Sequence, residues 1–341
     1  MSAVERDGPR PLFKENADWD EVQATLASLG LADGLPQVPP TVRRLEAMLA
    51  GVAEPERSLG QLPPMFGDLT PAAGAYVCVL AGCLPAELPV VLTAAEACLD
   101  PAFNLLGILT TTGTPAVATV VHGPLARELD MNAGTNCLGP GNRANAAIGR
   151  AIALAMRIVG GAVEQTGDMA TMGQPGKYGF CFAESDLGLL PSLAERRGLD
   201  REASAVTVLG VSGTLEVLPL EGRGSPEALL TPVAAAMTAA GAVAGSGRTR
   251  PPGEQVVLLP PEILTSLRDH GCSLTDIQQI LFEADRVDIP GVATFGRGHA
   301  VAATAADIVP IETGGPGVKM TYLPLWAGGT LTQTRAIRDL S

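Results

Sequence analysis

The chain is poor in histidine (three residues), in aromatics (4%) and in charge (17%), and its six cysteines are scattered over 341 residues. Each shortage excludes something. Cysteines 78, 83, 98, 137, 181 and 272 lack paired spacing, so in a chain of this size reduced thiols are expected rather than a disulfide scaffold. No His-Glu-x-x-His or Cys-x-x-Cys segment occurs, which gives a dedicated zinc site no support; a metal assembled from distant loops through His122, Cys137, Cys181 and Glu184 stays open. Neither a phosphate-loop signature nor a Gly-x-Gly-x-x-Gly fingerprint is present, and no organic cofactor is expected. Basic patches with interleaved aromatics are missing too. With a net charge of −13 and a pI near 4.7, the chain is a poor partner for nucleic acid. The longest apolar runs, such as 234–245, are too short and too rich in Gly and Ala to span a bilayer. The polar, acidic N-terminal stretch has no apolar signal core, so no membrane association and a cytoplasmic location are expected.

What is abundant is apolar residues (46%) and glycine (40 residues), a mixture suited to tightly packed α/β layers with many short loops. Low charge and high apolar content also lead to the expectation of a homo-oligomer. Residues 1–20 read as a loose arm, followed by helical spacing from Trp19 to Leu29 and a proline-fixed turn, Asp33 to Thr41. Helical patterns follow at 42–49, 71–81, 88–99, 143–159, 226–240, 261–269 and 274–284. Strand-like runs stand at 116–121, 205–209, 256–259 and 307–311. Strands alternating with helices predict an α/β fold with two lobes and mostly parallel sheets flanked by helices, glycine-rich loops lining a cleft. The expected division is an arm and first helix (1–32), a first lobe (33–222) and a second lobe (223–341).

Chemistry-bearing side chains gather in the glycine-rich loops. Gly139-Pro140-Gly141 runs into Asn142, Arg143 and Asn145 at the start of the 143–159 helix. Free N–H groups, a guanidinium and two carboxamides there point to a carboxylate or phosphate site; the bland alternative is a helix start whose side chains cap its own backbone. Cys137 lies just upstream of that helix and Cys181 follows Lys177, positions where a thiol pKa falls if a helix terminus or cation faces it. Against this, free cysteine is more often a small buried apolar group. His122 ends the clearest strand, ahead of Gly123-Pro124, and His299 sits in a Gly-Arg-Gly-His-Ala segment. Lys177 and Lys319 each follow a Pro-Gly turn where an ammonium would meet an anion, and Glu184 is an acid–base candidate if buried.

The segments DGLPQVPPT, AGCLPAELPVVLTAAEACLDPAFNL, VVHGPLARELDMNAGTNCLGPGNRANAAIGRA, GQPGKYGFCFAES and ETGGPGVK together resemble a family of bacterial proteins encoded beside, or fused to, a small Cys- or selenocysteine-containing protein named for its UGSC motif. The resemblance spans roughly residues 30–340. It implies thiol or selenol chemistry within the pathway and a small Cys-Gly-Ser-Cys redox protein as a partner, and it gives weight to Cys83, Arg143, Lys177, Cys181 and Glu184. This chain differs in carrying His122 where the family has Asn and Cys137 where it has no thiol.

The residues lead to the expectation of an enzyme acting on a small anionic metabolite by thiol and acid–base chemistry, as a carbon–heteroatom lyase, isomerase or thiol-dependent transferase. In that scheme Gly141, Asn142, Arg143, Asn145 and Lys319 bind substrate, while Cys181, Cys137, His122, Glu184 and Lys177 carry the chemistry. A non-catalytic substrate-binding subunit of a multicomponent thiol/selenol reductase is the alternative, and a metal-dependent hydrolase the second.

Overall fold

Valine- and leucine-rich runs long enough to be buried on both faces organise this protein. A computed structural model describes residues 3–219, 224–243, 248–249, 253–284 and 301–340. His299 and the expected lobe boundary at 222–223 lie outside them.

Eight strands build two sheets: β1 (Ala116–His122), β2 (Cys181–Ala183), β3 (Ala205–Val211), β4 (Leu215–Val217), β5 (Gln255–Leu259), β6 (Ile308–Glu312), β7 (Met320–Leu323) and β8 (Gln333–Ala336). Their helical covers are α1 (Pro71–Ala81), α2 (Leu88–Ala97), α3 (Arg143–Leu154), the short α4 (Leu193–Arg196), α5 (Pro226–Gly241), α6 (Pro261–Asp269) and α7 (Leu274–Ala284). The first sheet has the order β8-β3-β1-β2 and the second β6-β5-β7-β4.

Every residue of β3 is buried, yet its side chains divide cleanly between two layers. Val206 and Val208 join the core under the α1–α3 helices, while Leu209 and Val211 pack with Val256, Leu258, Val309 and Ile311 of the second sheet. On the second sheet Val257, Leu259, Ile308 and Met320 point the other way, against α5, α6 and α7. The period-two alternation of a strand thus sorts one apolar run onto two cores. The result is helices, sheet, sheet, helices: four layers around three apolar interfaces.

The α/β class and the flanking helices are as the sequence predicts; the share of parallel pairing is smaller. Each sheet has one parallel pair, β1 with β2 and β5 with β6, and its other pairs are antiparallel. The antiparallel partners β4, β7 and β8 are short and each follows the strand before it with no helix between, so they add nothing to the strand–helix alternation on which the parallel expectation rests. The expected division at 222 does not follow the sheets, since β4 pairs in the second and β8 in the first.

Two local features place the site. Residues 3–20 are not a loose arm: Val4–Arg6 pairs with Leu12–Phe13, Phe13 is buried, and the Tyr76 hydroxyl donates to the Pro11 carbonyl at 3.1 Å. The α3 helix lies directly on β2, because a Cβ on Gly149 would stand 2.8 Å from the Phe180 nitrogen and 3.1 Å from the Cys181 Cβ. Among the described residues no single helix is long and apolar enough to cross a membrane.

Candidate functional site

Parallel strands end on the same side of a sheet, and here the carboxyl ends of β1 and β2 meet that of β6 from the other sheet. The Ser185 N–H donates to the Glu312 carbonyl at 2.7 Å, and the Thr313 hydroxyl lies 3.0 Å from the Ala183 carbonyl. The glycine-rich loops after His122, ahead of Asn142 and after Ile311 come together there. Gly123, at φ 82, has no room for a side chain, since a Cβ would fall 2.4 Å from the Ala203 carbonyl oxygen. Gly315 likewise sits against Thr135, and the Gly314 N–H donates to the Ala133 carbonyl at 2.8 Å.

The register of β1 on β2 pairs Val121 with Ala183, so the next rung sets His122 beside Glu184. His122 Nδ1 is 2.6 Å from Glu184 Oε2, its Nε2 is 2.7 Å from Thr207 Oγ1, and Thr207 is 2.8 Å from Thr334 Oγ1. Both Glu184 oxygens also accept from the Leu193 N–H at the start of α4, at 3.1 and 3.0 Å. His122 is 1% exposed, Thr207 0% and Glu184 7%. With Glu184 ionised, the ring proton sits on Nδ1 and the Thr207 hydroxyl donates to Nε2, giving an unbroken line of hydrogen bonds from Glu184 to β8. The Arg196 guanidinium feels the Glu184 charge, but burial outweighs it and lowers the Arg196 pKa.

Glu184 is the member of this line that reaches a cleft of about 450 Å³. Its walls come from Gly123 to Arg127 after β1, Ser185 to Leu187 after β2, Ser192 and Glu195 of the α4 start, and Arg201 to Ala203 before β3. Arg127 pairs with Asp186, and Glu195 accepts from the Ser192 N–H at 2.9 Å in a capping box. No salt bridge ties down Arg201 among the described residues, which leaves it the cation available to a ligand.

The loop ahead of α3 is in the same neighbourhood, but its polar groups are spent. Asn142 Oδ1 accepts from the Asn145 N–H at 2.9 Å, and its amide donates to the Asp130 carbonyl at 2.6 Å. Asn145, buried, bonds the Asn132 N–H and carbonyl and the Cys137 carbonyl. Arg143 turns away to hold the buried Glu87 through two bonds of 2.5 and 3.1 Å. Gly141, at φ 124, makes the turn. The expected anion site is therefore a self-capped helix start, and the carboxamides that suggested it are the caps.

The thiols are placed as core. Cys181 faces α3 in the first apolar cluster, and burial pushes its pKa far above the ordinary thiol value. Cys137 lies between the sheets with Thr313 Oγ1 at 3.5 Å; burial raises its pKa, with the Thr313 hydroxyl opposing. Neither faces a cation or a free helix terminus, the condition that activates a thiol. The two lysines are elsewhere. Lys177 pairs with Asp168 at 2.6 Å on a turn packed against Ala116, the far end of β1 from His122, about 20 Å away at 3.3 Å per residue. Lys319 pairs with Glu216 at 2.8 Å on the exposed surface of the second sheet. Of the ten expected site residues, the structure therefore brings His122, Glu184 and Cys137 to the meeting of the sheets and removes both lysines.

Thr207, Thr313, Thr334 and Glu312 belong to this region without having stood out in the sequence. Only Glu312 left a trace, a carboxylate closing the apolar run Ile308–Glu312 just before a glycine loop. Among the described residues no three His, Cys, Asp or Glu side chains come together as metal ligands. The chain matches no family model, and no curated protein matches it.

Proposed function

We propose that this chain is a cytoplasmic enzyme that moves a proton on a small carboxylate-bearing metabolite, as an isomerase or carbon–heteroatom lyase. Glu184 is its acid–base group and His122 the partner behind it. The observation that carries this is a buried carboxylate in a cleft wall, hydrogen-bonded at 2.6 Å to a buried imidazole. Such a pair stores a proton out of water at the edge of a cavity whose size suits a small ligand. Arg201 replaces Arg143 as the group that meets the substrate carboxylate, because Arg143 is committed to Glu87. No covalent step is assigned to a thiol.

The test is proton exchange. Wild-type protein and Glu184→Gln are incubated in deuterated water with a panel of small 2-hydroxy, 2-amino and unsaturated carboxylates, and deuterium uptake on carbon is followed by NMR. Wild type exchanges at least one substrate class, and Glu184→Gln loses that activity by about 10²-fold or more. Equal activity in the two proteins sinks the assignment. Both ring nitrogens of His122 are already bonded, which favours a second reading, a non-catalytic binding subunit. That reading is supported if Arg201-dependent carboxylate binding occurs with no exchange in any case.

A further inference from the structure

The C-terminal end of α1 places two thiols where such helix ends normally place two apolar side chains. Gly82 adopts the left-handed conformation at φ 84, its N–H donates to the Val79 carbonyl at 3.0 Å, and the Cys83 N–H donates to the Cys78 carbonyl at 2.9 Å. This pair of bonds is the Schellman closure, which turns the chain back so that the residues at its two ends touch. Those residues are Cys78 and Cys83. The 2.9 Å bond, extended by the fixed Cα-to-oxygen and N–Cα distances, caps their Cα separation at about 6.8 Å. That falls within the roughly 4.4–6.8 Å a disulfide spans.

The two thiols differ in access. Cys78 is fully buried, whereas Cys83 is 8% exposed. Beside Cys83 stand the buried Glu87, which accepts from the Leu84 N–H at 2.9 Å, and the half-exposed Arg143 bound to it. The Arg143 guanidinium is close enough to Cys83 for its positive charge to act on the thiol.

We infer that Cys78 and Cys83 are a dithiol that closes to an intrachain disulfide by exchange with a small disulfide such as oxidised glutathione. The Cys83 thiolate attacks one glutathione sulfur, forming a mixed disulfide and releasing one reduced glutathione. Cys78 then attacks the Cys83 sulfur and releases the second. Two protein thiols are oxidised, one small disulfide is reduced to two thiols, and the two protons leave with the products. The first step is slow, because the neighbouring Cys78 thiol and burial push the Cys83 pKa well up, with Arg143 pulling the other way. The second step is fast, because the attacking sulfur is held in place by the backbone.

The experiment treats the native full chain with oxidised glutathione, blocks the remaining thiols with an alkylating agent and maps the peptides by mass spectrometry. Cys272, the half-exposed thiol, reports that the reagent acts. The expected product is a peptide that has lost two hydrogens and links Cys78 to Cys83, with no glutathione retained on either. In Cys78→Ser the glutathione stays on Cys83 as a stable adduct, and in Cys83→Ser position 78 is unmodified. A wild-type adduct persisting on Cys83 overturns the inference, as does an unmodified Cys83 once Cys272 has reacted fully.

Discussion

Glu312 offers the sharpest test of how the cleft is held. It is the last residue of β6 and is 1% exposed, and its carboxylate accepts the N–H groups of Leu187 at 3.1 Å, Leu189 at 2.9 Å and Leu190 at 3.1 Å. The loop it gathers contributes Ser185, Asp186 and Leu187 to the cleft wall. Glu312→Ala removes the one acceptor that three backbone donors share. At about 1 kcal/mol net per bond, less the cost of burying the carboxylate, the expected loss is about 2–3 kcal/mol. Urea unfolding measures it, and peptide-resolved hydrogen exchange should show protection lost specifically over residues 185–190. The pH dependence has a definite sign. Burial raises the Glu312 pKa above its ordinary 4.5, with the three amides and Ser185 opposing. Its contribution is then fully present below 4.5 and is lost as pH rises through the folded-state value, so the stability gap between wild type and Glu312→Ala narrows as pH increases. A loss below about 1 kcal/mol together with unchanged exchange in the loop would refute the clamp.

Three other outcomes follow from the same geometry. Arg143→Ala strands the fully buried Glu87 carboxylate and should cost about 3 kcal/mol in denaturant unfolding, the low end for a broken buried pair because Arg143 is half exposed; adding Glu87→Gln should restore part of it, and no restoration would show that the charge is not the cause. Gly149→Ala forces a methyl against the β2 backbone and should lower stability by about 1–3 kcal/mol, whereas an unchanged melting temperature would mean that α3 and β2 are not in the contact described. Cys181 should resist alkylation in the native protein at neutral pH and react only on unfolding, after Cys272; native labelling of Cys181 at the rate of a free thiol contradicts its burial.

Much of the architecture is legible in the chain because its longest elements are also its most periodic. The helical patterns expected from 42 and from 71 begin there in the structure, as Val42–Met48 and Pro71–Ala81, with the Thr41 and Thr70 hydroxyls each accepting an amide at the start. The runs at 116–121 and 205–209 are strands because β-branched residues, bounded by turns, have nowhere else to go. The short strands were not legible. β2 spans three residues inside a glycine-rich loop and β7 four, too few to show a period. The site was legible in part, for a related reason. His122 ends β1 and Glu184 directly follows β2, so their meeting needed only the pairing of those two strands. Arg143 and Asn145 misled because a capping carboxamide and a ligand-binding one are the same chemical group. Only the partner tells them apart, and here the partners are Asn132, Cys137 and Glu87.

The β8 strand carries a consequence for how the molecule is made. It lies antiparallel against β3, pairing Gln333 with Val208 and Ala336 with Ala205, although the whole second sheet stands between them in the chain. That second sheet is thus an excursion inside what is otherwise a hairpin. On the ribosome, β3 waits with one edge open through more than a hundred residues of synthesis, a template for any stray strand that reaches it first. When β8 arrives it closes that edge and in the same motion brings Thr334 against Thr207, 2.8 Å away. The hydroxyl line behind His122 is therefore finished by a strand that emerges only after every wall of the cleft has been made.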